Sequence, residues 1–372
     1  MARAYVRGYQ GNSLQGNDEI LACVKHFALY GASESGRDYN TVDMSRLRMY
    51  NEYLAPYKAA VDAGVGSVMS SFNIIDGIPA TANKWLLTDL LRDEWSFGGL
   101  LVTDYNSIAE MASHGIAPLK EASVRALKAG TDMDMVSCGF LNTLEESLKE
   151  GKIMEDQINT ACRRVLEAKY KLGLFSNPYK YGDTLRVKEQ LYTAEHRSAA
   201  RAIASETFVL LKNENHLLPL GLKGKIALVG PMADARNNMC GMWSMACTAS
   251  RHGTLLEGIR SAAGDKAEIL YAKGSNVYED AEMEKAAAGI RPLEHEDNRK
   301  LLDEALRVAS RADVIVAALG ECAEMSGESA SRTNLEIPDA QQNLLKALLK
   351  TGKPVVLLLF TGCLLYTSPS PR

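Results

Sequence analysis

The chain has 372 residues, of which 46% are hydrophobic and 24% charged, as in an ordinary globular protein long enough for about two domains. Its 42 basic and 46 acidic residues give a net charge of −4, which argues against nucleic-acid binding, and no apolar run approaches the roughly 18–20 residues of a membrane span. The seven cysteines show no CxxC pair, and no two histidines have metal-ligand spacing, so neither a disulfide scaffold nor a zinc module is predicted. We therefore expect no nucleic-acid partner, no membrane insertion and no metal.

Short apolar runs alternate with helical patterns, which predicts parallel α/β architecture. In the first half, the predicted strands are ILACV (20–24), SVMSS (67–71), GLLVT (99–103) and TDMDMV (131–136). Helices are predicted over 44–63, 83–94 and 155–172, and Gly173 ends the last of them.

Residues 174–194 are polar, contain Pro178 and Gly182, and are predicted to form a linker. A helix is predicted from about Glu195 to Lys212. The strands predicted after it form a second α/β unit and are KIALVG (225–230), AEILYA (267–272), ADVIVAALG (312–320) and PVVLLLF (354–360).

Both ends of the chain are unlike those expected of a complete gene product. The start, MARAYVRGYQG, has no charged segment followed by an apolar one, so no signal peptide is visible. Codons for the last ten residues, Cys363 to Arg372, resemble a transposase-type sequencing adapter, and a Ser/Pro-rich disordered terminus is the alternative. We expect the natural sequence to stop near Gly362.

Polar residues follow the predicted strands of the first half. Lys25 and His26 follow the first strand, Asn73 the second and Asp104 the third. In a parallel barrel the carboxyl ends of the strands form the active-site face, so these residues predict a polar pocket there. Carboxylates accept hydrogen bonds while Lys and His donate them, so such a pocket suits a ligand rich in hydroxyl groups.

Each of these residues also has a structural interpretation. Asp104 could cap the next helix, His26 could be a core histidine, and Lys25 could be a surface lysine or the Schiff-base lysine of an aldolase. Asp132 and Asp134 would face the same side of a strand, and one of the two is expected to be structural.

Several long segments resemble glycoside hydrolase family 3, in particular its periplasmic β-glucosidase-type branch. They are KHFALYGASESGRDYNTVDMS (25–45), VMSSFNIIDGIPATANKWLLTDLLRDEWSFGGLLVTDYNSI (68–108), AGTDMDM (129–135) and AEMSGESASRTNLEIPDAQ (323–341). The resemblance implies a partial (β/α)8 TIM-type barrel followed by a partial α/β sandwich domain. The expected divisions are the end of the barrel (1–173), the linker (174–194), the truncated sandwich (195–362) and a non-native tail (363–372).

The resemblance also implies a retaining, exo-acting hydrolase that removes terminal β-D-glucosyl residues by double displacement without a cofactor. Asp104 matches the nucleophile position, and Glu328 matches the acid/base position of this branch. Lys25 and His26 match the pair that binds sugar hydroxyls, and Arg37 belongs to the block that follows them.

Two further glutamates, Glu321 and Glu324, share the loop of Glu328 and compete for the acid role. The two carboxyl groups of a retaining enzyme lie about 5–5.5 Å apart, so the second domain would have to dock over the barrel. We expect the nucleophile to stay ionised and partial burial to raise the pKa of the acid.

Some alternatives stay open at this point. Family members begin before the position of Met1, so we expect this chain to be poorly stable and inactive by itself. The rival hypotheses are a non-catalytic carbohydrate-binding protein and a Schiff-base aldolase or lyase built on Lys25. Periplasmic or secreted localisation follows from the resemblance alone. Cys240 and Cys247 could be paired in a disulfide or free. The sequence indicates no oligomeric state.

Overall fold

The computed structural model describes residues 1–244, 246–288, 293–330 and 334–362. The predicted non-native tail, 363–372, therefore lies outside the described residues. The chain divides into two compact units, Met1–Glu206 and Thr207–Arg372.

The first unit contains a parallel three-stranded sheet with β3 between β1 and β6. A second, smaller sheet pairs β2 parallel to β4, and β4 antiparallel to β5. The strands are β1 (Cys23–Phe27), β2 (Thr41–Val42), β3 (Ser67–Ser70), β4 (Ile74–Ile75), β5 (Ile78–Pro79) and β6 (Leu100–Val102).

Helices of the first unit supply most of its core. The α-helices are α1 (Ala2–Gln10), α2 (Arg46–Arg48), α3 (Ala55–Asp62), α4 (Ser107–Ser113), α5 (Leu119–Ala129), α6 (Gly139–Lys149), α7 (Glu155–Lys171), α8 (Thr184–Gln190) and α9 (Ala194–Glu206), with π-helical segments at Met49–Leu54 and Trp85–Glu94. In the second π-helical segment, Leu86, Leu87, Leu90 and Leu91 are fully buried. This spacing makes a broad apolar stripe, which packs in one cluster with residues of β1 and β6.

The second unit is built on a parallel four-stranded sheet in the order β10-β9-β7-β8. Its strands are β7 (Gly224–Val229), β8 (Ala267–Ala272), β9 (Val314–Gly320) and β10 (Val355–Phe360). Every residue of β9 is buried, as expected for a strand covered on both faces. Alternation sends Val316 to one hydrophobic cluster and Ile315 and Ala317 to another.

The helices of the second unit are α10 (Leu255–Ala263), α11 (Ala281–Ala288), α12 (Asn298–Ser310) and α13 (Asp339–Leu349). Helix α10 begins with a capping box, in which Thr254 Oγ1 accepts from Glu257 N and Glu257 Oε2 accepts from Thr254 N. In the described part of the chain, no helix has both the length and the apolar character that crossing a membrane requires.

The α/β class predicted from the sequence is confirmed, and the four strands of the second unit lie within two residues of their predicted bounds. The first strand was predicted three residues too early, so Lys25 and His26 lie within β1 and not after it. The strand predicted over 131–136 is wrong, because Met133 forms only an isolated bridge with Val102.

The predicted linker, 174–194, contains helix α8 in the structure. Asp183 explains where that helix begins, because its side chain accepts a hydrogen bond from Leu185 N. Helix α9 groups with the first unit, whereas the sequence placed the start of the second domain at residue 195.

Candidate active site

Asp104 lies two residues beyond β6, at the carboxyl end of the parallel sheet of the first unit. Its side chain is 13% exposed, and Oδ1 accepts a hydrogen bond of 2.7 Å from Tyr105 N. Thr103 holds the turn, because its hydroxyl donates to the carbonyl of Asp104 and accepts from Met135 N. The backbone therefore orients a largely buried carboxylate whose second oxygen faces β1, the strand on the other side of β3.

His26 is the neighbour of that second oxygen. Its Nε2 lies 3.5 Å from Asp104 Oδ2, an ion-pair distance that is longer than a good hydrogen bond. The carbonyl of His26 accepts a hydrogen bond of 2.6 Å from the hydroxyl of Tyr57, and burial raises the pKa of Tyr57 to about 12. The strand order thus brings together a carboxylate and an imidazole that are far apart in sequence.

Lys25 precedes His26 on β1 and is exposed. The peptide bonds Lys25–His26 and Phe27–Ala28 are cis. A Schiff-base lysine is commonly activated by removal from water in an apolar pocket, which an exposed position does not supply. The aldolase hypothesis therefore gains no support from the surroundings of Lys25.

An aromatic cluster lies beside His26, and the sequence pattern did not predict it. The rings of His26 and Tyr30 pack edge to face at 5.4 Å, and Tyr30, Tyr39 and Phe72 pack together with centroids 5.0 to 6.3 Å apart. Tyr30 and Phe72 come shortly after β1 and β3 in the chain. A search of the sequence for aromatic residues at strand ends, as for polar ones, could therefore have identified them. Aromatic side chains are typical of the walls of ligand pockets.

Asn73 is fully buried between two segments that follow strands. Its Nδ2 donates to the carbonyl of Ala28 at 3.2 Å, and its own carbonyl accepts from Ala80 N. Its Oδ1 is buried and accepts no hydrogen bond from the described residues. Asn73 thus supports the chain that follows β1, and sugar binding by this residue stays a prediction.

Arg37 lies at the end of the short turn Glu34–Gly36 and is exposed. Its backbone N–H donates to the carbonyl of Glu34. The turn holds Arg37 on the surface of the segment that follows Tyr30. Sugar binding by Arg37 also stays a prediction.

Asp132 and Asp134 have separate structural partners. Asp132 accepts from Arg92 at 2.6 Å and from Arg164 at 2.9 Å, and it also accepts from Leu101 N of β6. Asp134 Oδ2 accepts from the first two N–H groups of helix α6. One of the pair was expected to be structural; both have such a role here, and Asp132 is tied to the strand that leads to Asp104.

The second unit carries the candidate acids on the segment that follows β9. Glu321 is held at the strand end, because its N–H donates to the carbonyl of Phe360 and its Oε2 accepts from Gly362 N. Glu324 is half-buried, whereas Glu328 is exposed. The second unit by itself therefore lacks the partial burial expected around Glu328, and Glu328 has the most accessible carboxyl group of the three.

A second loop of this unit packs against the segment of the candidate acids. A Cβ built on Gly327 would lie 2.3 Å from Met242 Cγ, so this close approach requires glycine. Asn238 Nδ2 donates to the carbonyl of Glu321, and Asn238 Oδ1 accepts from Ala323 N. Residues 238–242 therefore hold the loop that carries Glu328.

These features match a known family in both units. Residues 1–168 match the glycosyl hydrolase family 3 N terminal domain, and residues 208–370 match the glycosyl hydrolase family 3 C-terminal domain. The chain belongs to glycoside hydrolase family 3.

Individual relatives show which members of the family this chain is similar to. The chain is 44% identical to a Salmonella typhimurium protein named periplasmic beta-glucosidase, over 97% of this chain and 48% of that protein. It is 33% identical to a beta-xylosidase of Formosa agariphila, over 97% of this chain and 50% of that protein. A crystal structure of a beta-glucosidase from Listeria innocua in complex with isofagomine superposes with a TM-score of 0.85 at 38% identity, covering 97% of this chain and 48% of that one. The chain thus spans about half the length of these relatives.

Proposed function

We propose that this chain supplies the nucleophile and the acid/base of a retaining, exo-acting β-glucosidase that removes terminal non-reducing β-D-glucosyl residues. The observation that carries the proposal is the largely buried carboxylate of Asp104 facing His26 at the carboxyl ends of parallel strands. The relatives named beta-glucosidases, one of them in complex with isofagomine, support a β-glucoside as the substrate. The xylosidase relative makes β-xylosides the substrates to compare with it.

The first step would form a covalent glucosyl-enzyme. The Asp104 carboxylate attacks the anomeric carbon while Glu328 gives its proton to the glycosidic oxygen, and the bond to the leaving group breaks. In the second step, Glu328 takes a proton from a water molecule that attacks the same carbon, which releases glucose and the Asp104 carboxylate. His26, whose Nε2 lies 3.5 Å from Asp104 Oδ2, is placed to hold the carboxylate of the nucleophile in position.

The remaining parts of the proposal concern sugar binding and the setting of the enzyme. Lys25, His26, Arg37 and Asn73 are the proposed contacts to sugar hydroxyls. We propose a periplasmic or secreted location, which the name of the Salmonella relative supports. We also propose that the 372-residue chain is inactive by itself and works within a longer gene product.

Kinetics of the full-length gene product test these roles. Glu328→Ala should lower kcat on phenyl β-glucoside by about 10²–10⁴-fold, and Asp104→Asn, which removes the nucleophile, should lower it at least as much. Glu328→Ala should lose much less on a dinitrophenyl β-glucoside, because that leaving group departs without a proton. Azide should restore turnover of Glu328→Ala and yield β-glucosyl azide.

Contrary outcomes point to specific errors. Full activity of Glu328→Ala would move the acid role to Glu324 or Glu321. Sugar binding without turnover of any β-glycoside by the wild-type protein would favour the carbohydrate-binding hypothesis. Reductive trapping of the substrate on Lys25 by borohydride would favour the aldolase.

A further inference from the structure

Three side chains of the second unit, none of them a candidate acid, bring their metal-ligating atoms close together. They are Cys240, Cys247 and His252, whose ligating atoms lie within 4.8 Å of one another. The two cysteines form a disulfide in the structure. We propose that, when this disulfide is reduced, the three side chains bind a zinc ion.

A hydrogen bond to the backbone fixes the orientation of the His252 ring. Its Nε2 lies 2.9 Å from the carbonyl of Arg236, and a carbonyl can only accept, so Nε2 carries the hydrogen. In the neutral ring Nδ1 then carries the lone pair, and it lies 3.7 Å from Cys240 Sγ and 4.0 Å from Cys247 Sγ, while Nε2 lies 3.9 Å from Cys240 Sγ. Zinc-binding histidines are commonly fixed by such a bond from the other ring nitrogen to a backbone carbonyl.

The disulfide gives Nδ1 of His252 no hydrogen-bond donor. Its sulfur atoms carry no hydrogen, so they offer nothing to the lone pair of Nδ1. In the reduced chain, a metal ion bound by both thiolates would accept the lone pair of Nδ1. With Zn–S near 2.3 Å and Zn–N near 2.0–2.1 Å, tetrahedral ligation separates nitrogen and sulfur by about 3.6 Å and the two sulfurs by about 3.8 Å, so the sulfurs must move apart after reduction while each stays near His252.

The chemistry of the donors favours zinc. Thiolate and imidazole are the ligands zinc prefers, and two thiolates neutralise the charge of a divalent cation. Cys240 and His252 are half-buried and Cys247 is exposed, so an ion can enter from solvent. Three protein ligands leave a fourth position for water.

The oxidised and metal-bound forms exclude one another. Reduction by a dithiol transfers two electrons and two protons to the Cys240–Cys247 bond, and the dithiol becomes a disulfide in turn. Zinc then displaces one proton from each thiol as it binds. The proposal does not depend on glycosidase activity, because its tests measure metal binding and not turnover.

Cobalt titration of the chain tests the site. After reduction with a phosphine under anaerobic conditions, one equivalent of Co²⁺ should give sulfur-to-cobalt charge-transfer absorption and the intense visible bands of tetrahedral cobalt, and Zn²⁺ should abolish both. Cys247→Ser should lose at least about half of the charge-transfer absorption, because one thiolate remains, and His252→Ala should weaken binding at least about tenfold. Cys162→Ser, which changes a free exposed cysteine of the first unit, should bind as wild type does.

A second measurement needs no variant. In the reduced wild-type chain, Zn²⁺ should slow alkylation of Cys240 and Cys247, read by mass spectrometry, and leave Cys162 unaffected. The proposal is overturned if the reduced chain shows no charge-transfer absorption, if Cys247→Ser and His252→Ala bind as wild type does, or if zinc protects neither cysteine. Equal binding by the oxidised chain would also overturn it.

Discussion

Replacing Asp132 by alanine should destabilise the first unit more than any exposed charge change. The Asp132 carboxylate is 1% exposed and accepts from Arg92, whose side chain is 7% exposed, and from Arg164, which is 28% exposed. It also accepts from Leu101 N at 2.8 Å. The substitution would leave a buried guanidinium without its carboxylate and a strand N–H without its acceptor.

The cost follows from what remains around Arg92. Breaking a buried ion pair from one side costs about 3–5 kcal/mol. Arg92 Nη1 would still donate to the carbonyls of Phe97 and Gly99, so we expect the lower end, about 3 kcal/mol. Since small domains are stable by only about 5–15 kcal/mol, this is a large share of the total.

Urea unfolding followed by circular dichroism measures the effect. Glu121→Ala is the matched control, because it breaks the exposed pair with Arg125 and should cost less than about 1 kcal/mol. Asp132→Asn, which keeps an acceptor for Leu101 N, should fall between the two. If Asp132→Ala costs no more than Glu121→Ala, the network does not hold the strand that leads to Asp104.

Further predictions concern packing, backbone and pH. Leu348→Ala should lower the free energy of unfolding in urea by about 2–5 kcal/mol, because Leu348 is fully buried. Leu349→Ala on the same helix should lower it little, because Leu349 is 51% exposed. Equal losses would refute the described packing of α13. Gly320→Ala should lower the free energy of unfolding by more than about 1 kcal/mol, because Gly320 has φ +142° and an added Cβ would lie 1.9 Å from a carbonyl oxygen. Gly258→Ala, with open space around it, should leave that free energy unchanged or raise it. A neutral Gly320→Ala would contradict this reasoning. Burial raises the pKa of Tyr57 to about 12, so the protonated phenol stabilises the fold below about pH 10, and this is lost as pH rises towards 12. Wild type should therefore lose more unfolding free energy than Tyr57→Phe between about pH 9 and pH 11, and parallel losses would show that Tyr57 is not responsible.

The sequence predicted the strands of the second unit well because they are buried within a parallel sheet. A short continuous apolar run such as ADVIVAALG is typical of a strand that is covered on both faces. The first strand was predicted to end at residue 24, three residues too early, because the polar Lys25 and His26 occupy strand positions. The segment TDMDMV was mistaken for a strand, because nothing local shows that Asp132 and Asp134 bind two arginines and a helix N-terminus.

The candidate site was predictable where a strand end determines it. Asp104 and His26 were both expected at carboxyl ends of parallel strands, and the structure brings them together. The aromatic cluster around Tyr30 and the convergence of His252 with two cysteines depend on loop packing. Their sequence spacing carries no recognisable period, so side-chain contacts were needed to find them.

Covalent trapping tests the central claim most directly. The full-length gene product would be incubated with dinitrophenyl 2-deoxy-2-fluoro-β-glucoside, whose fluorine slows the second step so that the glucosyl-enzyme accumulates. We predict one fluoroglucosyl group per chain, on the peptide that contains Asp104, and none on Asp104→Asn. A label on another carboxylate such as Asp134, or turnover without any covalent label, would contradict the assignment of Asp104 as the nucleophile.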